Sequence, residues 1–212
     1  MSHPAGEVPT WLQWARRIQA LAQNGLAYAH DPYDVERYEA LRDVAVEMLA
    51  ARAGLSLDTV RSLFAGDPGY ATPKLDVRGV VFRDDGALLF VRERSDGGWT
   101  LPGGWADVGE SPSEAVEKEV LEESGYAVRA AKVLALLDRD RHGHPPHAQH
   151  IWKVFIRCRL VGGTPSSGLE TEGVGFFHAD AIPPLSLGRV VPAQIARLFE
   201  HYAHPEWPTD FD

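Results

Sequence analysis

The 212-residue chain has a single cysteine, Cys158, which excludes an internal disulfide framework and points to a reducing compartment. Set in an alternating, strand-like stretch, that thiol reads as a small buried hydrophobe. Basic charge is also scarce. Lysine and arginine number 21 against 30 aspartates and glutamates, for a formal net charge of -9. So acidic a chain lacks the concentrated basic surface that nucleic-acid backbones require, so no nucleic-acid partner is expected. An anionic ligand has to be met through metal and a few local cations. No apolar run approaches the ~20 residues that cross a bilayer, and Met1 to Glu7 hold no basic segment followed by an apolar one. No membrane association is expected, and the cytoplasm is the expected location. Internal repeats and extended low-complexity tracts are absent too.

What is present is globular material, 44% hydrophobic, in two compositional halves. Residues 11–65 read as helical and 75–178 mostly as strands, with a turn-forming stretch at Gly66, Asp67, Pro68 and Gly69 between them. This divides the chain into a small all-helical domain over residues 1–69 and a second domain over residues 70–212. Trp11, Trp14, Ile18 and Leu21 recur at helical spacing before Gly25. A longer helix starts near Tyr33, passes through Val35, Tyr38, Leu41, Val44, Met48 and Leu49, and stops at Gly54. A third begins at Ser56 and ends near Phe64. About 55 residues in three helices have limited surface to bury, so this domain is expected to pack against a second copy of itself or against the other domain.

In the second domain, Val77 to Phe82 and Ala87 to Arg94 flank Asp84, Asp85 and Gly86, a hairpin signal. Strands are expected near Val128 to Asp138, Ile151 to Leu160 and Val174 to His178, with a closing helix over Arg189 to Tyr202. Helices interleaved with a mixed sheet imply an α/β layer architecture.

The densest chemistry lies between Gly104 and Tyr126. Ser111 is a good N-cap, Pro112 suits the first helical position and Glu114 stands where a capping-box carboxylate reaches back; Gly125 supplies the stop. Within these limits Glu119, Glu122 and Glu123 share one face, one turn apart. Like charges at that spacing are mildly destabilising, and the C-terminal half of a helix disfavours anions further. Such a face is either a solvated surface or a cation platform. The preceding Leu101, Pro102, Gly103 and Gly104 favour the platform, because the two glycines free the backbone for close approach. A hard divalent cation such as Mg2+ prefers carboxylate, carbonyl and phosphate oxygens.

The spacing G-x5-E-x7-R-E-U-x-E-E-x-G-U, with U apolar, is the box of the Nudix hydrolases, and this chain resembles it at Gly104, Glu110, Glu119, Val120, Glu122, Glu123, Gly125 and Tyr126. Lys118 stands where that family usually has arginine, replacing a planar fork of donors with a point charge. The resemblance extends to the helical arm around Tyr33 to Arg42, the run from Leu75 to Val81, Trp99 to Val108, and Pro183 to Ser186, as in a Nudix subgroup with an N-terminal helical domain. It implies a Nudix α/β/α sandwich with a mixed sheet, preceded by a small helical domain associated with homodimer formation. It also implies Mg2+, with Mn2+ as the alternative, and in-line attack of metal-activated water on the pyrophosphate bond of a nucleoside diphosphate linked to another group, of the CDP-choline or ADP-ribose type. By the same resemblance, Glu119 and Glu123 are the principal metal ligands, Glu122 an additional ligand or general base, and the Gly103 carbonyl a backbone ligand. The family's mobile-loop glutamate falls at Glu170, with Glu172 close behind.

Several residues keep two readings. Arg78 either pairs locally with Asp76 or reaches a substrate phosphate. Trp99 and Trp105 bracket the glycine loop, where one stacks on a base or both pack. In the run His142, His144, His147 and His150, the two prolines and irregular spacing do not match common zinc sites. Substrate contact, through His144, or a plain loop remains. The competing activities are pyrophosphohydrolysis of nucleoside triphosphates and, from a different class, a non-catalytic Nudix-fold regulator that binds a nucleotide-type ligand.

Overall fold

A computed structural model describes residues 8–53, 56–65 and 69–212. The expected helix stop at Gly54, the turn residues Gly66, Asp67 and Pro68, and Met1 to Glu7 lie outside the described residues. The chain divides into two compact units. One runs through Pro73 and takes in residues 146–150; the other comprises Lys74–Pro145 and Ile151–Asp212.

In the first unit, helices α1 (Thr10–Tyr28), α2 (Pro32–Ala53) and α3 (Leu57–Ala65) follow the periodicity. Asp31 caps α2 by accepting from the Tyr33 amide at 2.9 Å, and Ser56 caps α3 by accepting from the Thr59 amide at 3.1 Å. Their core gathers Leu12, Ala15, Val46, Leu49, Ala50 and Val60. The inward face of α1 is not its large apolar stripe. Leu12, Ala15, Gln19, Ala22 and Gln23 are buried, while Trp14, Leu21 and Tyr28, spaced by seven, are 59%, 58% and 69% exposed. Small residues face inward because the helices pack closely, and a Cβ on Gly25 would meet the Tyr38 ring at 2.4 Å. Arg16 gathers residues 147–149 into this unit by donating to the carbonyls of His147, Ala148 and Gln149.

The second unit is built on two sheets. Strands β1 (Lys74–Val81), β4 (Tyr126–Asp138), β5 (Ile151–Gly163) and β7 (Asp210–Phe211) form a mixed sheet in the order β1-β5-β4-β7. Strands β2 (Leu88–Glu93), β3 (Trp99–Thr100) and β6 (Thr171–Phe177) form an antiparallel one in the order β3-β2-β6. Val77, Val154, Ile156 and Cys158 of the first sheet pack on Ala115, Val116 and Val120 of helix α4 (Pro112–Ser124). Its other face brings Val80, Leu134 and Phe155 against Ile195 and Leu198 of helix α5 (Pro192–Ala203). Each such buried side chain contributes about 1.5–3 kcal/mol, so the two cores clamp the sheet between helices as an α/β/α sandwich. Burial pushes the Cys158 thiol up to about 12, as suits an inert core residue.

The hairpin expected around Asp84 to Gly86 forms at its tip only. The turn closes, with the Arg83 amide donating to the Ala87 carbonyl at 2.9 Å, but only the bridge Phe82 to Leu88 joins the two arms before they enter different sheets. β1 pairs in parallel with β5 along one edge. On the other it meets the segment after β3, through Val77 N–H to Gly104 O at 2.9 Å and Gly79 N–H to Pro102 O at 2.8 Å. That competing pairing holds the glycine loop against β1. No helix among the described residues is long and apolar enough to cross a membrane.

Candidate active site

Helix α4 has the ends its residues dictate. The Ser111 hydroxyl accepts from the Glu114 amide at 3.3 Å, the Glu114 carboxylate accepts from the Ser111 amide at 2.9 Å, and Gly125 closes the helix at φ 74°. This register turns Val116 and Val120 to the sheet and places Glu119 and Glu123 beside the glycine loop. Gly103 N–H donates to Glu123 Oε2 at 2.9 Å, and a Cβ on Gly104 would lie 3.1 Å from Glu119 Oε1. The Pro102 and Gly104 carbonyls accept from β1, and the peptide that turns the Pro102 carbonyl to β1 turns the Gly103 amide the other way, to Glu123. Its φ of 147° and the 2.0 Å gap that a Cβ would leave to the Val77 carbonyl admit only glycine.

Burial governs the charge of these groups. It pushes the Glu123 carboxyl up to about 7, against the opposing pull of the Gly103 amide and Arg78. Glu119, half-buried, is also raised by burial, with Lys118 opposing. Glu122 faces solvent on the next turn. Glu110 Oε1 accepts from Lys118 at 2.8 Å, while its buried Oε2 has no hydrogen-bond partner among the described residues. The carboxylates of Glu119 and Glu123 beside the glycine loop, with Glu122 and an unsatisfied Glu110 oxygen near by in sequence, are oxygen donors that suit a hard divalent cation.

Lys118 lies between Asp107 at 3.0 Å and Glu110 at 2.8 Å, so it ties the loop 107–110 to α4. Lys118→Arg is therefore expected to leave kcat within about threefold of wild type. Lys118→Met, which removes a partly exposed pair of contacts, should lower it by up to about fivefold. Steady-state kinetics on the two variants checks this ranking.

The segment after β5 is anchored to the end of α4. Thr171 Oγ1 donates to the Glu123 carbonyl at 2.9 Å, and the Ser166 amide donates to the Ser124 carbonyl at 2.9 Å. Glu170 is exposed and close enough to Glu119 to raise its proton affinity. Glu172, the neighbouring candidate, instead pairs with Arg92 at 3.3 Å.

The residues expected to touch substrate separate. Trp105 is 47% exposed at the glycine loop. Trp99 is half-buried against Phe177, ring centroids 4.9 Å apart, so packing and not base stacking occupies it. His144 is buried, with Nδ1 2.9 Å from the Leu187 carbonyl and Nε2 3.1 Å from Gln194 Oε1. Burial pulls its pKa down to about 4, so the ring is a neutral strut, not a phosphate contact. Arg78 is 4% exposed and bidentate on Asp76, Nε to Oδ1 at 2.7 Å and Nη2 to Oδ2 at 2.8 Å. Of its two readings, the local ion pair is the one realised.

Two buried charges escaped the sequence reading. Lys153, pulled down to about 8 by burial against the opposing pull of Asp76, lies 2.9 Å from Asp76 Oδ2. Glu93, also buried, pairs with Arg189 at 2.8 Å. A lysine inside the apolar run Ile151 to Ile156 was the available signal for the first; nothing local marked the second.

Comparison with known proteins places these features in a family. Residues 9–64 match the model described as a UDP-X-like, N-terminal oligomerisation domain, and residues 72–199 match the NUDIX domain. YjhB of Bacillus subtilis (strain 168), provisionally named an ADP-ribose pyrophosphatase, is 46% identical over 95% of this chain and 97% of its own. A crystal structure of a UDP-X diphosphatase is 31% identical, covering 95% of this chain and 98% of that one with a TM-score of 0.62. A crystal structure of an ADP-ribose pyrophosphatase from Streptococcus suis 89-1591 is 44% identical over 66% of this chain and all of its own, with a TM-score of 0.61. With its box helix, its glycine loop and a match along nearly the whole chain, this protein belongs to the Nudix hydrolase family.

Proposed function

We propose that the protein hydrolyses the pyrophosphate bond of a nucleoside diphosphate linked to another moiety, with ADP-ribose the favoured substrate and Mg2+, or Mn2+ in its place, as cofactor. The observation that carries this reading is the convergence of Glu123 and Glu119 on the Gly103–Gly104 backbone. Similarity to YjhB along nearly the whole chain, and to the Streptococcus suis enzyme over 66% of it, favours ADP-ribose over CDP-choline.

Glu119, Glu123 and the Gly103 carbonyl would hold the cation, with Glu122 as a further ligand from the exposed turn. A bound divalent cation neutralises phosphate oxygens and lowers the pKa of water. Glu170, exposed and electrostatically close to Glu119, takes the proton from the water that attacks one phosphorus in line. Trp105, exposed beside the loop, is the aromatic surface available to a base or sugar. Water adds to one phosphorus and the bridging oxygen leaves on the other phosphate, so ADP-ribose gives AMP and ribose 5-phosphate.

The helical domain over residues 1–69 makes a homodimer in this reading, and the hydrolase domain spans residues 70–212. The matched domain is described as one of oligomerisation, and Trp14, Leu21 and Tyr28 form an exposed apolar stripe on α1. The single cysteine and acidic charge suit a cytoplasmic location.

A metal-dependent screen of ADP-ribose, CDP-choline, UDP-sugars, NADH, diadenosine polyphosphates and nucleoside triphosphates, with products identified, tests the assignment. Two monophosphates from ADP-ribose are expected. Release of inorganic pyrophosphate from triphosphates would make the enzyme a triphosphate pyrophosphohydrolase. Binding that is equal with and without Mg2+, together with no turnover, would make it a regulator.

A further inference from the structure

Beneath the glycine loop lies a buried ionic network that the hydrolysis itself does not call for. Asp76, Arg78 and Lys153 are each at least nine-tenths buried. Asp76 takes both Nε and Nη2 of Arg78, and Oδ2 also accepts from Lys153 at 2.9 Å. Glu123 and Glu93 are among the other carboxylates whose fields reach Arg78, and Glu93 is paired with Arg189. Such networks are a poor source of stability, because well-packed apolar side chains usually do as well.

Their geometry shows another use. The remaining arm of Arg78, Nη1, donates to the Leu101 carbonyl at 3.2 Å. The next carbonyl, of Pro102, accepts from Gly79, and that of Gly104 accepts from Val77. The backbone on both sides of Gly103 is thus tied to β1 or to a side chain on β1, and Gly103 is left to meet Glu123. The parallel register that sets Asp76 opposite Lys153 brings the lysine to Asp76 and keeps the clamp charged.

We propose that Arg78, held by Asp76 and Lys153, is the positioning residue of the metal platform, fixing through the Leu101 carbonyl the peptide edge from which Gly103 faces Glu123. This rests on reading Glu119, Glu123 and Gly103 as that platform. A lysine at position 78 keeps the charge but lacks the fork that spans Asp76 and Leu101 together. A purely electrostatic role therefore survives Arg78→Lys, and a positioning role does not.

The test is direct Mn2+ binding to the full-length protein, read by electron paramagnetic resonance of free Mn2+ and paired with steady-state kinetics on ADP-ribose. Arg78→Lys is expected to weaken Mn2+ binding at least about tenfold, the size of effect seen when the partners of metal ligands are removed. KM for the nucleotide at saturating Mn2+ should change less than about threefold on the same grounds. Wild-type Mn2+ affinity in Arg78→Lys overturns the proposal, as does a raised KM with unchanged Mn2+ affinity, which makes Arg78 a substrate contact. Should Arg78→Lys fail to fold by circular dichroism, Asp76→Asn, which keeps shape but not the paired acceptors, decides in its place: about tenfold weaker Mn2+ binding supports the clamp and an unchanged affinity overturns it. Absence of Mn2+ binding to the wild type, with Glu123→Gln no different, fells the platform and the clamp together.

Discussion

Glu123→Gln is expected to lower turnover of ADP-ribose at least about a hundredfold at saturating Mg2+, a loss of about 2.7 kcal/mol in transition-state stabilisation. The fold should remain. Glutamine has the size of glutamate and keeps an oxygen for the Gly103 amide, so the contact between helix and loop persists. What disappears is the negative charge, in a place where burial already pushes the carboxyl up to about 7. A neutral amide avoids the desolvation that the carboxylate suffers there, so the substitution is not expected to cost stability. Arg78 loses one neighbouring anion in the variant but retains Asp76, and its geometry does not depend on Glu123. Thermal unfolding of the variant should therefore stay within a few degrees of wild type while kcat collapses. Near-normal kcat at saturating Mg2+ would sink the assignment of Glu123 as a ligand. Glu122→Gln, at the further ligand on the exposed turn, is expected to cost less than Glu123→Gln, because that carboxylate is exposed.

Local signals were the legible ones. The box helix could be delimited from sequence because a capping box, a proline at its first turn and a left-handed glycine all act within four residues of the groups they satisfy. The acidic face and the two glycines followed from the same register. Lys153 resisted for the opposite reason. Its surroundings come from a parallel pairing of β1 with β5 that joins Asp76 to Lys153 across 77 residues, and side-chain patterns within one strand do not specify its neighbour. Helix α1 shows a subtler failure. Periodicity located the helix, yet its widest apolar stripe is the exposed one, and alanines with two mutually bonded glutamines take the inside. Apolar spacing says that a face is to be covered, not by what. Trp99 and Trp105 differ only in context: one strand position points to Phe177, and the other, bridged to Asp76 of β1, stays 47% exposed.

Gly103→Ala should be the most damaging single methyl group in the site. An added Cβ would stand 2.0 Å from the Val77 carbonyl and 2.9 Å from the Arg78 Cα, both backbone atoms of the central part of β1, so no side-chain rotation relieves the clash. The φ of 147° adds strain for any residue with a side chain. Overpacking and backbone strain each cost about 1–3 kcal/mol, so a destabilisation of about 3 kcal/mol or more is expected unless the loop moves away from β1. If it moves, the Gly103 amide leaves Glu123, the carbonyl proposed as a ligand moves with it, and activity falls at least about a hundredfold, by the same argument that applies to losing a ligand. Either route ends in loss, but the two are distinguishable: a lowered Tm with residual activity in the folded fraction marks retained geometry, whereas a modest change in Tm with collapsed kcat marks a displaced loop. Gly188→Ala is the control, since its added Cβ meets nothing within 4 Å and should change neither quantity appreciably. A Gly103→Ala protein with wild-type Tm and kcat would mean that the loop does not lie against β1 in the working enzyme, and that the carboxylates of α4 find their third oxygen elsewhere.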